Sequence, residues 1–390
     1  MKRHIVVVND YGFINGGAGK IAIYTAIGLA NKNEDVYFFC AVGPVCQQLK
    51  ESNVTTICLQ QQDINNKSKW KVLTEGIDNR IARCKFKELI SSFGEDEVII
   101  HIHSWTKALS SSIFRCLANK SNVKSIVTLH DYFMVCPNGG LYDYKHKHIC
   151  HIKGDMKCLL CNCDKRNYLQ KLFRFIRYKK QKHDMRCIHN FIYISQLNKR
   201  VFLEKYKNKA DMYFVQNFVE LASRKVDHPE NNEYYLYIGR LSEEKGVEEL
   251  CEVLTREKQK CFIIGDGPLY KKLKGQYPNL VFTGWLTHDQ MIPYIMKSKA
   301  FVFPSKWYEG SPLIIPEILS YGLPCIVSNC SSAVELRDNK GVYIYDSLKK
   351  AINEFSLYDG SKVELKNKLF YSFDEYIMNL IQVFFKVDCD

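Results

Sequence analysis

The 390-residue chain has no apolar run approaching the roughly 20 residues needed to span a bilayer. At the level of sequence, that excludes a membrane-spanning helix. The start, MKRHIVVVNDYG, is basic and then apolar, but Asn9 and Asp10 end the run within a few residues. It reads as a first β-strand and not as a secretion signal, so a cytoplasmic location is expected. A P-loop is also missing. The pair Gly19-Lys20 has Ile14 where the leading glycine is required and Ile21 where the hydroxyl is required. A dinucleotide fingerprint placed on residues 17–22 fails too, because its glycines come about eight residues too late after the strand. No acidic residue ends the second strand, which gives way to CAVG.

What is present describes a soluble globular protein: 46% hydrophobic and 25% charged residues, in a chain long enough for two domains. Sixteen cysteines without a secretion signal argue against disulfides. Cys40, Cys58, Cys261 and Cys325, each single in an apolar strand, read as small core residues. The net charge of +13 is concentrated in KRNYLQKLFRFIRYKKQKHDMR (165–186), which carries nine Lys or Arg against one Asp. Leu169, Leu172, Phe173, Ile176 and Lys180 recur at helical spacing, giving a basic amphipathic helix. Two readings stay open: a packed helix with a solvated basic face, or a surface docking on anionic membrane, where each lysine contributes about 1 kcal/mol. No nucleic-acid recognition fold accompanies the charge, and nucleic acid is not expected as a partner.

Apolar strands alternate with helical patterns along the whole chain. The first half offers HIVVV (4–8), VYFFC (36–40), VIIHIH (98–103), SIVTLH (125–130), FIYI (191–194) and MYFV (212–215). Residues 219–232 are polar and read as a linker. The pattern restarts with YYLYIG (234–239), CFIIG (261–265), LVFTG (280–284), AFVF (300–303) and PCIVS (324–328). Continuous apolar strands separated by helices predict two doubly wound, Rossmann-like α/β domains facing across a cleft, at 1–218 and 233–370. Ligands of such sheets bind beyond the carboxyl ends of the strands.

The strand ends carry the chemistry. NDYGFINGGAGK (9–20) reads as a glycine turn before a helix from about Ala18, letting backbone N–H groups approach an anion or sugar at Gly16 and Gly17, with a purely structural turn as the alternative. In the second half, YIGRLSEEKG places Arg240 and Lys245 in one strand–helix turn, where they can converge on one anion or, taken alone, stand as solvated surface. IIGDGP and FTGWL end the next two strands with Gly265 and with Gly284 and Trp285. YEGSPLIIPEILSYGLP (308–324) follows a fourth strand and sets Glu309 and Glu317 eight positions apart around an apolar segment. Ser311 and Pro312 read there as a helix N-cap and first-turn proline, with the N–H groups near Ser311–Leu313 as an anion site. Pro316 conflicts with that start, and a start a few residues later is the alternative.

In order and spacing, GGAGK, GRLSEEKG, IIGDGPLYKKL, FTGWL and FPSKWYEGSPLIIPEILSYGLPCIVS resemble the retaining glycosyltransferases of the GT-B fold, family four, whose hallmark is a Glu–seven residues–Glu pair. The resemblance implies a cytoplasmic enzyme of polysaccharide biosynthesis. It would move a hexose from a UDP- or GDP-linked donor to a saccharide acceptor, including lipid-linked ones; peripheral contact at an anionic membrane is the reading left open by the basic helix at 165–186. It further implies Glu317 on the ribose hydroxyls and Glu309 on the donor sugar. Arg240 and Lys245 would hold the diphosphate, Gly16 or Gly17 would approach the donor, and His130 of TLHDY would lie on the sugar side. Ser311, Pro312, Leu313, Gly265, Gly284 and Trp285 complete the expected donor site, and residues 371–390 would form a helix returning to the first domain. The single Asp-x-Asp lies at 388–390, so no catalytic divalent metal is expected. The rivals are a hydrolytic carboxylate pair, an epimerase or phosphorylase of the same fold, and a zinc-containing nucleic-acid- or membrane-binding module.

An insertion at 136–163 holds five cysteines. Cys136, Cys150, Cys158 and Cys161 are the candidate structural zinc ligands, Cys158-x-x-Cys161 having ligand spacing and Cys163 being spare. Reduced thiols and a disulfide remain the alternatives.

Overall fold

A computed structural model describes residues 2–118, 120–152, 155–355, 360, 363–364 and 371–389; the Asp-x-Asp side chains at 388–390 lie outside the described residues. The apolar runs become two parallel sheets in two units. One unit comprises Met1–Gly140, His151–Phe218 and Ser372–Asp390, the other Leu141–Cys150 and Val219–Tyr371.

In chain order the strands begin with β1 (Arg3–Tyr11), β2 (Asp35–Val42), β3 (Thr55–Cys58), β4 (Glu97–Ile102) and β5 (Val123–Thr128). A two-stranded hairpin of β6 (Tyr142–Asp143) and β7 (His148–Ile149) follows, then β8 (Asn190–Tyr193) and β9 (Asp211–Phe214). The first unit's parallel sheet has the order β3-β2-β1-β4-β5-β8-β9, and the hairpin belongs to the second unit. Seven consecutive residues of β1 are buried, as a strand covered on both faces requires. The order reverses between β1 and β4, the place where doubly wound sheets open a ligand crevice.

The second unit contains β10 (Tyr234–Ile238), β11 (Lys260–Ile264), β12 (Val281–Gly284), β13 (Ser298–Phe303), β14 (Cys325–Ser328) and β15 (Val342–Tyr345), ordered β12-β11-β10-β13-β14-β15. The four strands whose ends carry the motifs are therefore neighbours, with the reversal between β10 and β13. β3 and β15 escape the sequence reading. Both are four-residue edge strands with mixed burial, and they lack the continuous apolar run of central strands.

Two expectations need correction. The basic helix spans Tyr168–Asp184, but it buries Lys171, Phe175, Tyr178, Gln181 and Asp184. Leu169 and Ile176, assigned to the apolar face, are 76% and 48% exposed. The buried face escaped a hydrophobicity reading because three of its five members are polar. Residues 219–232, read as a linker, are packed: Val226 is buried in the second unit's core, Val219 and Ala222 lie against it, and the Val226 N–H donates to the Tyr321 carbonyl at 2.7 Å.

The final helix, Phe373–Cys389, packs within the first unit against the helix Gly17–Asn31. Thr25 and Tyr376 share a buried hydroxyl–hydroxyl bond of 2.7 Å, and a Cβ on Gly28 would come within 2.5 Å of Ile377. Among the described residues, no helix is long and apolar enough to cross a membrane.

Candidate functional site

The ends of β10, β11 and β12 are tied into one ridge. Gly239 N–H donates to Ile264 O at 3.0 Å, Leu241 N–H to Asp266 O at 2.9 Å, and Gly265 N–H to Gly284 O at 2.8 Å. Gly265 has φ +132°, and a Cβ there would collide with the Gly239 carbonyl, so the close approach of the loops requires glycine. Gly246, at φ +69°, plays the same part where the β10 loop meets Pro304 beyond β13. Its neighbour Lys245 is thereby set against the β13 loop that carries Glu309.

Three donors converge on one oxygen of Glu309. Lys245 Nζ and Trp307 Nε1 each lie 2.5 Å from Oε1, and Ser305 Oγ lies at 2.8 Å. The side chains of Lys245 and Glu309 are only 21% and 13% exposed. Burial opposes ionisation of Glu309, but Lys245, Trp307 and Ser305 outweigh it and hold the pKa below the usual glutamate value. Lys245 Nζ also stands 5.7 Å from the centre of the Phe303 ring and 5.5 Å from that of Trp307. Sequence reasoning passed over Ser305 and Trp307, although both lie in the quoted FPSKWYEG stretch. Arg240 is exposed at the end of β10, and its guanidinium makes no ion pair among the described residues. It is a cation available to an incoming anion.

The helix after β13 spans Ile314–Ser320, later than the Ser311 cap predicts. Leu313, already in αR geometry, occupies the N-cap position with no side-chain cap, so Ser311 and Pro312 precede the helix. This resolves Pro316. As the third helical residue it falls in the first turn, where its missing N–H costs no intrahelical bond. Glu317 accordingly lies in the first turn and not deeper, and His288 Nε2 approaches its Oε1 to 3.0 Å. His288 begins the helix after β12, and nothing in THDQM distinguished it in the sequence. Trp285, at the end of the same strand, is 73% exposed. Arg240, Lys245, Gly265, Gly284, Trp285, Glu309, Ser311, Pro312, Leu313 and Glu317 thus all belong to the second unit.

Gly16, Gly17 and His130 belong to the first unit. Gly16 is the N-cap of the 15-residue helix Gly17–Asn31, which has no side-chain cap and no acidic residue in its first turn. Asp10, fully buried at the end of β1, accepts N–H bonds of 2.8 to 2.9 Å from Lys107, Ala108 and Leu109, fastening the β4 loop. His130 follows β5 and joins a histidine chain: its Nε2 is 2.8 Å from His103 Nδ1, and His103 Nε2 is 3.3 Å from His101 Nδ1. His101 Nε2 then meets Thr128 Oγ1 at 2.7 Å. Burial holds His101 at about 3 and His130 at about 4, and drives His103 well below its ordinary value, so all three are neutral near pH 7.

Of the candidate zinc ligands, Cys136, Cys158 and Cys161 lie in the first unit and Cys150 in the second. Lys171, 1% exposed, points its Nζ at Cys158 Sγ and Cys163 Sγ, both at 3.1 Å, and Asn138 Nδ2 is 3.2 Å from Cys163 Sγ. Burial disfavours the lysine charge, but Cys163 and Cys158 offset it and leave its pKa raised. Cys163, spare in the sequence reading, therefore receives two donors. In the second unit, Asp143, His146 and His148 bring possible metal-ligand atoms within 4.8 Å of one another, with both histidines exposed.

Residues 218–362 match the family described as Glycosyl transferases group 1. The lipopolysaccharide 1,6-galactosyltransferase of Salmonella typhimurium is 31% identical over 135 residues, covering 31% of this chain and 38% of that protein. The UDP-Gal:alpha-D-GlcNAc-diphosphoundecaprenol alpha-1,3-galactosyltransferase of Escherichia coli is 48% identical over 75 residues, covering 17% and 18%. The chain thus spans less than half the length of these curated relatives. Among solved structures, Anabaena HepE in complex with UDP and glucose superposes with a TM-score of 0.66 at 12% identity, covering 99% of this chain and all of that one. At that identity the likeness shows the fold alone, which is GT-B: two Rossmann-like α/β domains with parallel sheets. Residues 218–362 are a glycosyl transferases group 1 domain within a chain of GT-B fold.

Proposed function

We propose that this chain is a retaining glycosyltransferase that moves a hexose from a UDP- or GDP-linked donor to a saccharide acceptor carried on a lipid. One observation carries the reading: the adjacent ends of β12, β11, β10 and β13 bear Trp285, Gly265, Arg240 with Lys245, and Glu309 in one unit. Breaking the bond between the anomeric carbon and the diphosphate oxygen leaves the electron pair on the diphosphate. Arg240 and Lys245 are the cations that meet this developing charge. Glu317 takes the ribose hydroxyls, Glu309 orients the sugar, and exposed Trp285 offers a face to the base. Ser311, Pro312 and Leu313 supply backbone beside the sugar, and Gly16 and Gly17 leave room at the first unit's strand ends. No metal ion has a part in these roles. The relatives named for galactosyl transfer to lipopolysaccharide and to a diphosphoundecaprenol-linked sugar support a lipid-linked saccharide as acceptor.

The test offers the purified chain a panel of UDP- and GDP-sugars, with and without lipid-linked saccharides. Release of nucleoside diphosphate is expected only with an acceptor, and NMR of the product should show the donor's anomeric configuration retained. Sugar conversion without an acceptor would instead identify an epimerase, and inversion would remove the retaining assignment.

Membrane contact belongs to the same reading. Met156 and Leu160 of the helix Asp155–Leu160 are 70% and 80% exposed, beside exposed Leu169 and Ile176 and the exposed cations Lys165 and Arg166. Apolar side chains interleaved with basic ones suit an anionic bilayer surface. Binding to phosphatidylglycerol vesicles, measured by co-sedimentation, should exceed binding to phosphatidylcholine vesicles and fall about tenfold in Leu169→Ser/Ile176→Ser. Equal binding to both vesicle types would refute the contact.

A further inference from the structure

We infer that His101 and His103 form a buried relay that fixes the tautomer of His130, so that its Nδ1–H is presented as a donor to a substrate oxygen at the carboxyl edge of the first unit's sheet. The role of the substrate rests on the function proposed above; the relay itself does not.

His101 and His103 are two apart, as are Thr128 and His130, so each pair projects to one side of its segment. β4 and β5 are adjacent and parallel, with Ile102 opposite Val127, which brings the two pairs together. The result is a four-member chain, Thr128–His101–His103–His130, with links of 2.7, 3.3 and 2.8 Å. Thr128, His101 and His103 are 4%, 0% and 3% exposed, whereas His130 is half-buried and closes the chain at the strand ends.

A neutral imidazole has one donor and one acceptor, so the chain can run in only two senses. In one, the Thr128 hydroxyl donates to His101 Nε2, His101 Nδ1–H to His103 Nε2, and His103 Nδ1–H to His130 Nε2. His130 then ends in a free Nδ1–H. In the other sense every proton is reversed, and His101 Nε2–H donates to Thr128 Oγ1. The Thr128 hydroxyl proton would then be buried, and no second acceptor for it is present among the described residues. A buried donor without an acceptor costs about 1–3 kcal/mol, whereas the first sense leaves no such orphan. The first sense therefore prevails. Depressed proton affinity at all three rings agrees with a neutral chain.

His103 is a positioning residue in this scheme, acting through His130. Full-length protein labelled with 15N-histidine reads the tautomer directly. His130 is expected as Nδ1–H with Nε2 unprotonated. In His103→Phe, and in Thr128→Val as the milder change, the Nε2–H form of His130 should appear, with the melting temperature recorded to confirm folding. Transfer by His103→Phe should fall about tenfold, the worth of one hydrogen bond, and in a His130→Ala background His103→Phe should cost nothing more. An Nε2–H tautomer of His130 in the wild type, or an unchanged tautomer in both folded variants, would overturn the relay. An additive loss in the double variant would leave His103 a purely structural residue and overturn its positioning role. Absence of transfer in the wild type would overturn the enzyme reading alone, since the NMR result stands without it.

Discussion

Replacing Glu317 with alanine is expected to weaken binding of the nucleoside diphosphate about a hundredfold and to reduce sugar transfer at least as much, while the protein stays folded. Two charge-assisted bonds to ribose hydroxyls, at about 1.5 kcal/mol each, give that factor. The fold should tolerate the change. Glu317 is a first-turn residue of a seven-residue helix, and the anchors on that helix are buried Ile315, Ile318 and Leu319. His288, 3.0 Å from Glu317 Oε1, would lose an ionic neighbour but is itself half exposed. Glu317→Gln separates the effects of charge and shape. It keeps a hydrogen-bonding oxygen and should recover part of the binding. Calorimetric titration with nucleotide and melting curves of both variants check this, and unchanged affinity in Glu317→Ala would remove the ribose assignment.

Lys245→Met should have a similarly large effect on turnover through a different route. The lysine is held against Glu309 and the rings of Phe303 and Trp307, so its position is fixed before any diphosphate arrives. A preorganised cation facing a developing charge contributes on the order of a hundred- to a thousandfold in turnover. Its removal also leaves Glu309 ionised, largely buried and held only by Trp307 and Ser305, which destabilises the folded protein. Lys245→Met/Glu309→Gln should therefore regain melting temperature without regaining transfer. The pH dependence has a definite sign. Glu309 has a depressed pKa in the folded state, so the pair's stabilisation is complete above the unfolded value of about 4.3. It is lost as pH falls through the lower folded-state value. The acid limb of the melting profile should flatten in Lys245→Met, measured by melting curves from pH 3 to 7. A wild-type acid limb in that variant would contradict the coupling.

The second unit's strand ends were legible because glycines, charges and aromatics recur directly after apolar runs. Gly265 could be read as a turn residue, and the structure adds what it turns around, the Gly239 carbonyl; Gly246, against the Pro304 carbonyl, was not singled out in the sequence. Ser311 misled because serine before proline is a common helix entry, whereas Leu313 holds the N-cap position without a side-chain bond. The basic helix misled for the reverse reason. Hydrophobic spacing marks Leu169 and Ile176, but the buried face includes Lys171, made tolerable by Cys158 and Cys163, and Asp184, which accepts from Ser111 at 2.8 Å. Such partners come from distant sequence and leave no periodic trace. The histidine chain was hidden in the same way, since VIIHIH scores as a strand whichever partners its histidines find across the sheet.

The most direct measurement is calorimetric titration of the full chain with UDP and GDP, repeated with Glu317→Ala and Arg240→Ala. One of the two nucleotides is expected to bind the wild type with 1:1 stoichiometry, and each substitution should weaken that binding by at least tenfold. Absence of binding by either nucleotide, or affinity unchanged in both variants, would contradict a donor site at the ends of β10 to β13.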